Sequence, residues 1–167
     1  MPRLFALDQN FPQPIVETLG EFMTEAELVA VGDIDPRLTE VDDWELLLAL
    51  HHHARSWDGL ITTDSGMLSI PRELSVLMQT GLTLVVAAAA GHDPLKATGL
   101  VLAYLPWIAD HTEEDRPQVW VLRAANRPHD DPWDWLSKVA QRRGTTATIL
   151  YDEEKLSDAE LAHDPLA

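Results

Sequence analysis

The sequence predicts an α/β fold of three layers, α/β/α, with a central, mainly parallel five-stranded sheet. Two observations carry this reading. Short apolar runs of strand length recur through the first 123 residues without polar alternation, as in strands covered on both faces. Between them lie segments with helical spacing and helix-start signals, which makes successive β-α units with right-handed crossovers.

The elements follow in order. Residues 3–7 form a first buried strand. Pro12 to Phe22 reads as a helix, with Ile15, Leu19 and Phe22 at helical spacing. Glu27 to Val31 is a second strand ended by Gly32, and Asp33 to Glu40 a polar loop around Pro36. A helix opens at Asp42 and continues through the apolar Trp44–Leu50 stretch. Gly59 to Thr63 is the third strand. Ser69 and Pro71 start a helix that reaches about Gln79. Leu82 to Ala88 is the fourth strand. Asp93-Pro94 is an N-cap followed by Pro at the first helical position, opening a helix to about Ile108. Gln118 to Leu122 is the fifth strand. These elements make one domain over residues 1–125. Residues 126–167 form an appendage: a Pro- and Asp-rich linker from Asn126 to Pro132, an amphipathic helix from Trp133 to Arg143, a short strand from Thr146 to Tyr151, and an acidic, frayed tail from Glu153.

Composition narrows the function. The 167 residues carry 28 acidic and 12 basic side chains, a net charge of −16. Up to residue 109 there are 15 acids against 5 bases, and 13 against 7 after it, so the imbalance is not confined to a tail. Nucleic-acid binders gain much of their affinity from a basic footprint. Here a nucleic-acid substrate requires metal ions, local bases such as Arg72 and Lys96, or a partner chain. No run reaches the ~18 apolar residues of a membrane span, so no membrane partner is expected. The absence of cysteine and of a signal-peptide pattern points to the cytoplasm.

Three carboxylate-bearing segments stand out. Leu4-Phe5-Ala6-Leu7-Asp8 and Leu60-Ile61-Thr62-Thr63-Asp64 are strand runs that stop on an acid, and Asp42-Asp43-Trp44-Glu45 opens a helix. Successive parallel strands end on one edge of the sheet, which places Asp8 beside Asp64. Glu45, in the first turn of a helix running back from that edge, joins them, and Asp43 is the next candidate. Carboxylates brought together repel, and a hard cation, Mg²⁺ or Mn²⁺, relieves them. Such a centre suits metal-dependent phosphodiester chemistry. Each acid also has a plain structural alternative: Asp8 and Asp64 as turn or cap residues, and Glu45 as the partner of Asp42 in a variant capping box. Asp93 is read as a helix cap. His51, His52 and His53 are adjacent on a helix and point apart, so they cannot chelate one ion together.

The ordered set Leu7-Asp8-Gln9-Asn10-Phe11-Pro12, Asp43-Trp44-Glu45-Leu46-Leu47 and Leu60-Ile61-Thr62-Thr63-Asp64 resembles the PIN-like domain family, over about residues 3–123. That resemblance implies a single-strand-specific ribonuclease using Mg²⁺ or Mn²⁺, often the toxin of a toxin–antitoxin pair. It makes Asp8, Glu45 and Asp64 both catalytic and metal-binding, with Asp43 as a further metal ligand. It names single-stranded RNA and an antitoxin protein as partners. The apolar Trp133, Trp135 and Leu136 of the appendage need a partner surface, either the domain or a second copy of the chain. Where the family commonly carries another Asp after the third motif, this chain reads Ser65-Gly66-Met67-Leu68. Two other classes compete. One is a non-catalytic PIN-fold protein acting through protein contacts. The other is a receiver-like phosphoacceptor domain, which wants an acidic pair after strand one and a Lys after strand five, where this chain has Asp8-Gln9 and Arg123.

Overall fold

Five short apolar runs form a single sheet in the computed structural model, which describes residues 1–12, 15–124, 131–163 and 165, with backbone alone at 15 and 17–19. The strands are β1 (Arg3–Leu7), β2 (Ala26–Ala30), β3 (Gly59–Thr62), β4 (Thr83–Ala87) and β5 (Gln118–Leu122). All pairings are parallel, in the order β2-β1-β3-β4-β5. The chain leaves β1 for β2 on one side, then returns to lay β3 on the other. The strand order therefore reverses between β1 and β3, where a crevice opens at the carboxyl ends of the strands.

The helices are α1 (Ile15–Phe22), α2 (Val31–Ile34), α3 (Asp43–His52), α4 (Pro71–Thr80) and α5 (Pro94–His111). Strand side chains alternate between two apolar layers. Phe5, Leu7, Ile61, Val85 and Ala87 pack with Leu100, Val101, Leu105 and Ile108 of α5. Leu4, Ala6, Leu60, Leu84 and Val86 pack with Leu46, Leu47 and Leu50 of α3 and Leu77 of α4. Both faces of the three inner strands are thus buried, which is why those runs are apolar throughout. The result is the expected α/β fold in three layers.

Local boundaries differ from the sequence reading where side chains cap the backbone. β2 ends at Ala30, and Val31 begins the single turn of α2 instead of closing the strand. The loop around Pro36 contains a 3-10 turn, Pro36–Thr39, nucleated by the Asp35 carboxylate, which accepts from Arg37 N at 2.9 Å. α5 runs three residues beyond Ile108, through Pro106, because Leu105, Ile108 and Ala109 anchor its last turns in the core.

A second compact unit covers residues 125–167. It contains α6 (Pro132–Arg142), α7 (Ala147–Glu154) and α8 (Asp158–Leu161). The strand expected over Thr146–Tyr151 is a helix. Gly144, at φ 71°, ends α6, and Thr146 then caps α7, its hydroxyl accepting from Ile149 N at 3.3 Å. The β-branched Thr and Ile residues suggested a strand, but capping decides the outcome. The acidic tail likewise holds one ordered turn, α8, closed by a Ser157–Glu160 capping box. Most of the linker, 126–130, and residues 164, 166 and 167 lie outside the described residues. Among the described residues no helix is long and apolar enough to cross a membrane.

Two substitutions probe this frame. A Cβ at Gly59 would stand 2.0 Å from the carbonyl oxygen of Thr83, so β3 and β4 approach each other only because residue 59 has no side chain. Gly59→Ala should cost about 2 kcal/mol or more in urea unfolding, and an unchanged midpoint would refute the close approach. The Asp93 carboxylate accepts from Lys96 N at 3.0 Å, capping α5. Asp93→Ala should cost about 1 kcal/mol in the same measurement.

Candidate functional site

β1 stops at Leu7, and the ladder extends one step further through Asp8 N, which donates to Ile61 O at 2.9 Å. Asp8 is therefore held at the strand end with only 3 % of its surface exposed. A buried carboxylate needs donors. Thr62, fully buried at the end of β3, donates its hydroxyl to Asp8 Oδ2 at 2.7 Å. The same hydroxyl accepts from Asp64 N at 3.0 Å, so one Thr side chain fixes both strand-end acids. Asp64 then opens a 3-10 turn, Ser65–Ser69, its Oδ1 accepting from Gly66 N at 2.7 Å. A Cβ at Gly66 would stand 2.8 Å from that oxygen, so a side chain there would push on the Asp64 carboxylate.

Held by one hydroxyl, the two acids repel each other. Burial is the main cause that pushes the Asp8 carboxyl above its ordinary value, and the negative charge of Asp64 adds to it. The Thr62 hydroxyl and the amides of Gln9 and Asn10 pull the other way. Asp43, half-buried at the first position of α3, is pushed up by burial and then by the charges of Asp8, Asp64 and Asp42. Asp8, Asp43 and Asp64 therefore share one field at the carboxyl edge of the sheet, beside the crevice between β1 and β3.

Glu45 is placed differently. Asp42 and Glu45 form a capping box at the start of α3, and Glu45 Oε2 accepts from Asp42 N at 3.1 Å. Its carboxylate is engaged in holding the helix start, so of the two α3 acids Asp43 is the one coupled to Asp8 and Asp64. Arg72, in the first turn of α4, lays its guanidinium over the Trp44 ring, 5.3 Å from the centroid. Trp44, Arg72, Pro71, Ser75, Val76 and Gln79 line a shallow concavity between α3 and α4. Lys96 lies in the first turn of α5, where its amide is bound to Asp93.

Sequence reasoning missed Glu73. It sits in the first turn of α4, is 7 % exposed, and its carboxyl is pushed up by burial and by the charges of Asp43, Asp64 and Asp42. In the sequence it reads as an ordinary first-turn acid after Pro71, and only its tertiary burial distinguishes it.

The donor chemistry of Asp8, Asp43 and Asp64 is all oxygen, and that fits a hard divalent cation. In their present rotamers, no three His, Asp or Glu side chains among the described residues are grouped closely enough to hold an ion. The half-buried Asp43 and Asp64 must therefore turn inward toward Asp8 for the three to share one. None of the ion pairs among the described residues includes any of these acids: the bases pair with Asp58, Asp35, Glu27, Glu113 and Asp152. Among the described residues, no ion pair offsets the repulsion at this edge.

Comparison of the chain with models of known protein families, with curated proteins and with solved structures yields no match.

The repulsion has a measurable consequence. In the metal-free protein Asp43 holds its proton more tightly when folded than when unfolded. Its penalty is absent below the ordinary carboxylate value of 3.8 and grows as pH rises through the raised value. Asp43→Asn should therefore match wild type in stability at the acid end and exceed it increasingly toward neutral pH. Urea unfolding in chelator across that range tests this, and parallel profiles would refute the coupling.

Proposed function

We propose that this chain is a metal-dependent phosphodiester hydrolase of PIN-like type that cuts single-stranded RNA in the cytoplasm, in the manner of the toxin half of a toxin–antitoxin pair. The observation that carries the reading is the buried Asp8. It is fixed at the crevice between β1 and β3 and shares the field of Asp43 and Asp64, and among the described residues none of the three is in an ion pair. Open α/β sheets bind ligands at that crevice. Carboxylates kept close without a counter-charge suit a cation partner.

Asp8, Asp43 and Asp64 would hold Mg²⁺ or Mn²⁺. Bound there, the cation supplies charge neutralisation for the phosphate and an activated water for attack on phosphorus. The chain's own residues set the stage. Thr62 locks Asp8 in place and aligns the amide of Asp64. The Gly66 amide orients the Asp64 carboxylate. Arg72 offers a cation to a phosphate of the strand, and Trp44 offers a face to a base. Glu45 keeps α3 starting where Asp43 is presented.

The net charge of −16 favours a second reading, a non-catalytic PIN-fold protein that works through a basic protein partner such as an antitoxin. The strand order is also that of receiver-type phosphoacceptor folds. In that reading Asp64 would be the acceptor, with Arg123 in place of the Lys such chemistry wants.

With Mn²⁺ the protein should cut unstructured RNAs slowly, chelation should stop it, and Asp64→Asn should abolish cleavage while leaving the melting temperature at or above wild type. Because the surface is acidic, added salt should weaken RNA binding less than it does for a basic nuclease. Wild type that binds Mn²⁺ and cleaves no RNA would hand the function to the non-catalytic reading. Stable labelling of Asp64 by acetyl phosphate would hand it to the phosphoacceptor.

A further inference from the structure

An open sheet has two edge strands, and each presents unpaired backbone groups that can take up another strand. The two edges of this sheet differ. β2 carries a charge in mid-strand, Glu27, which Arg55 Nη2 holds at 2.9 and 3.0 Å. Charged side chains on an edge strand keep other strands away. β5, Gln118-Val119-Trp120-Val121-Leu122, has neither a charge nor a proline, and its register with β4 runs unbroken. Leu122 O accepts from Ala88 N at 2.9 Å, so the backbone groups of Leu122 face the β4 side. By the alternation along a strand, those of Val119 and Val121 face outward. Among the described residues no backbone group of a turn or loop bonds to them. The side chains beside this edge are apolar and open. Val119 and Val121 are 43 % and 37 % exposed. Trp107 of α5 is 51 % exposed, with its ring 4.9 Å from that of Trp120.

The flanks of β5 decide what fits there. Before the strand, Glu113 pairs with Arg116 at 2.7 Å, which leaves Glu114 and Asp115. After it comes Arg123. All three are exposed, and none is in an ion pair among the described residues. The strand is therefore acidic at its start and basic at its end. An antiparallel copy of the same strand sets the basic end of each against the acidic start of the other. A chain with a net charge of −16 repels its own copy over most of its surface. Along β5 that repulsion is replaced by an uncharged strand between complementary ends.

We propose that β5 is an interface between two copies of this chain, which pair their β5 strands antiparallel about a two-fold axis at Trp120 and join two five-stranded sheets into one. Val119 of each copy then exchanges two backbone hydrogen bonds with Val121 of the other. The valine side chains meet on one face of the joint, and Trp107 and Trp120 of both copies lie on the other. The interface needs no ion and stands apart from the chemistry at the carboxyl edge.

The test is sedimentation equilibrium of the full chain in chelator over a concentration series, with circular dichroism on the same samples. Wild type should pass from monomer to dimer and no further, because a two-fold contact closes the assembly. Val121→Lys should raise the dimer dissociation constant by about ten-fold or more, with the spectrum unchanged. Arg123→Glu, just outside the strand, should also weaken the dimer. Adding Glu114→Lys and Asp115→Lys to that same chain should restore it, because both flanks are then reversed together. Wild type that stays monomeric at every concentration overturns the proposal. So does a dimer that Val121→Lys or Arg123→Glu leaves at wild-type strength, and so does one that the reversed flanks fail to restore. Should Val121→Lys fail to fold, Arg123→Glu and its charge reversal carry the test.

Discussion

The Thr62 hydroxyl, buried between the ends of β1 and β3, is the interaction on which the rest of this edge depends. It donates to Asp8 and accepts from the amide of Asp64, at 2.7 and 3.0 Å. A β-branched residue suits the last position of a buried strand. Only Thr among the β-branched residues adds a group that can both give and take a hydrogen bond. Valine at this position would fill the same space and leave Asp8 buried without its donor. The strand order then adds its own constraint. Because the chain doubles back after β2, the helices that follow β1 and β3 lie in opposite layers, Val16 of α1 in one and Leu77 of α4 in the other, and polar groups at the carboxyl ends of β1 and β3 can face a ligand.

The two edges of the sheet treat charge in opposite ways. At the amino edge Asp58 is fully engaged: Arg3 Nη1 donates to it at 2.8 Å and Leu4 N at 2.7 Å, while Arg3 Nη2 reaches the Thr112 carbonyl at 2.6 Å. That cluster is neutral and ties β1 to the start of β3. At the carboxyl edge Asp8, Asp43 and Asp64 repel one another, and among the described residues no base forms an ion pair with them. A protein selected for stability alone would place an Arg there. Arg72 is available, next to Glu73 in sequence, yet it lies over Trp44. Arrangements that lower stability without structural return mark sites of function.

Much of the frame was legible because burial on both faces leaves a plain signature. The five strands and the helices between them follow from apolar runs and from caps such as Asp93-Pro94. Asp8 and Asp64 were legible for the same reason: an acid directly after a buried run has few places to go. The α3 acids were harder. Asp43 and Glu45 both sit in a helix's first turn, where acids are favoured anyway. The choice between them depends on whether the Asp42 amide takes the Glu45 carboxylate, which it does. Glu73 left no signal at all, since its neighbours Pro71 and Arg72 make it look like a solvated helix start. The α7 helix was misread because Thr-Thr-Ala-Thr-Ile has strand composition, and a single hydroxyl cap outweighed it.

The acidic field also orders events at the proposed site. A net charge of −16 concentrates divalent cations near the surface and repels a polyanion by the same potential. Before a cation binds, the carboxyl edge adds its own repulsion to that of the whole molecule. A divalent cation bound there would offset two of the three charges of Asp8, Asp43 and Asp64 and leave the crevice less negative than before. A strand would then meet its weakest repulsion at the ion. On the proposed metal-dependent reading, this charge distribution would favour ion first and strand second, and positioning at the crevice would depend on the ion more than on any general affinity for nucleic acid.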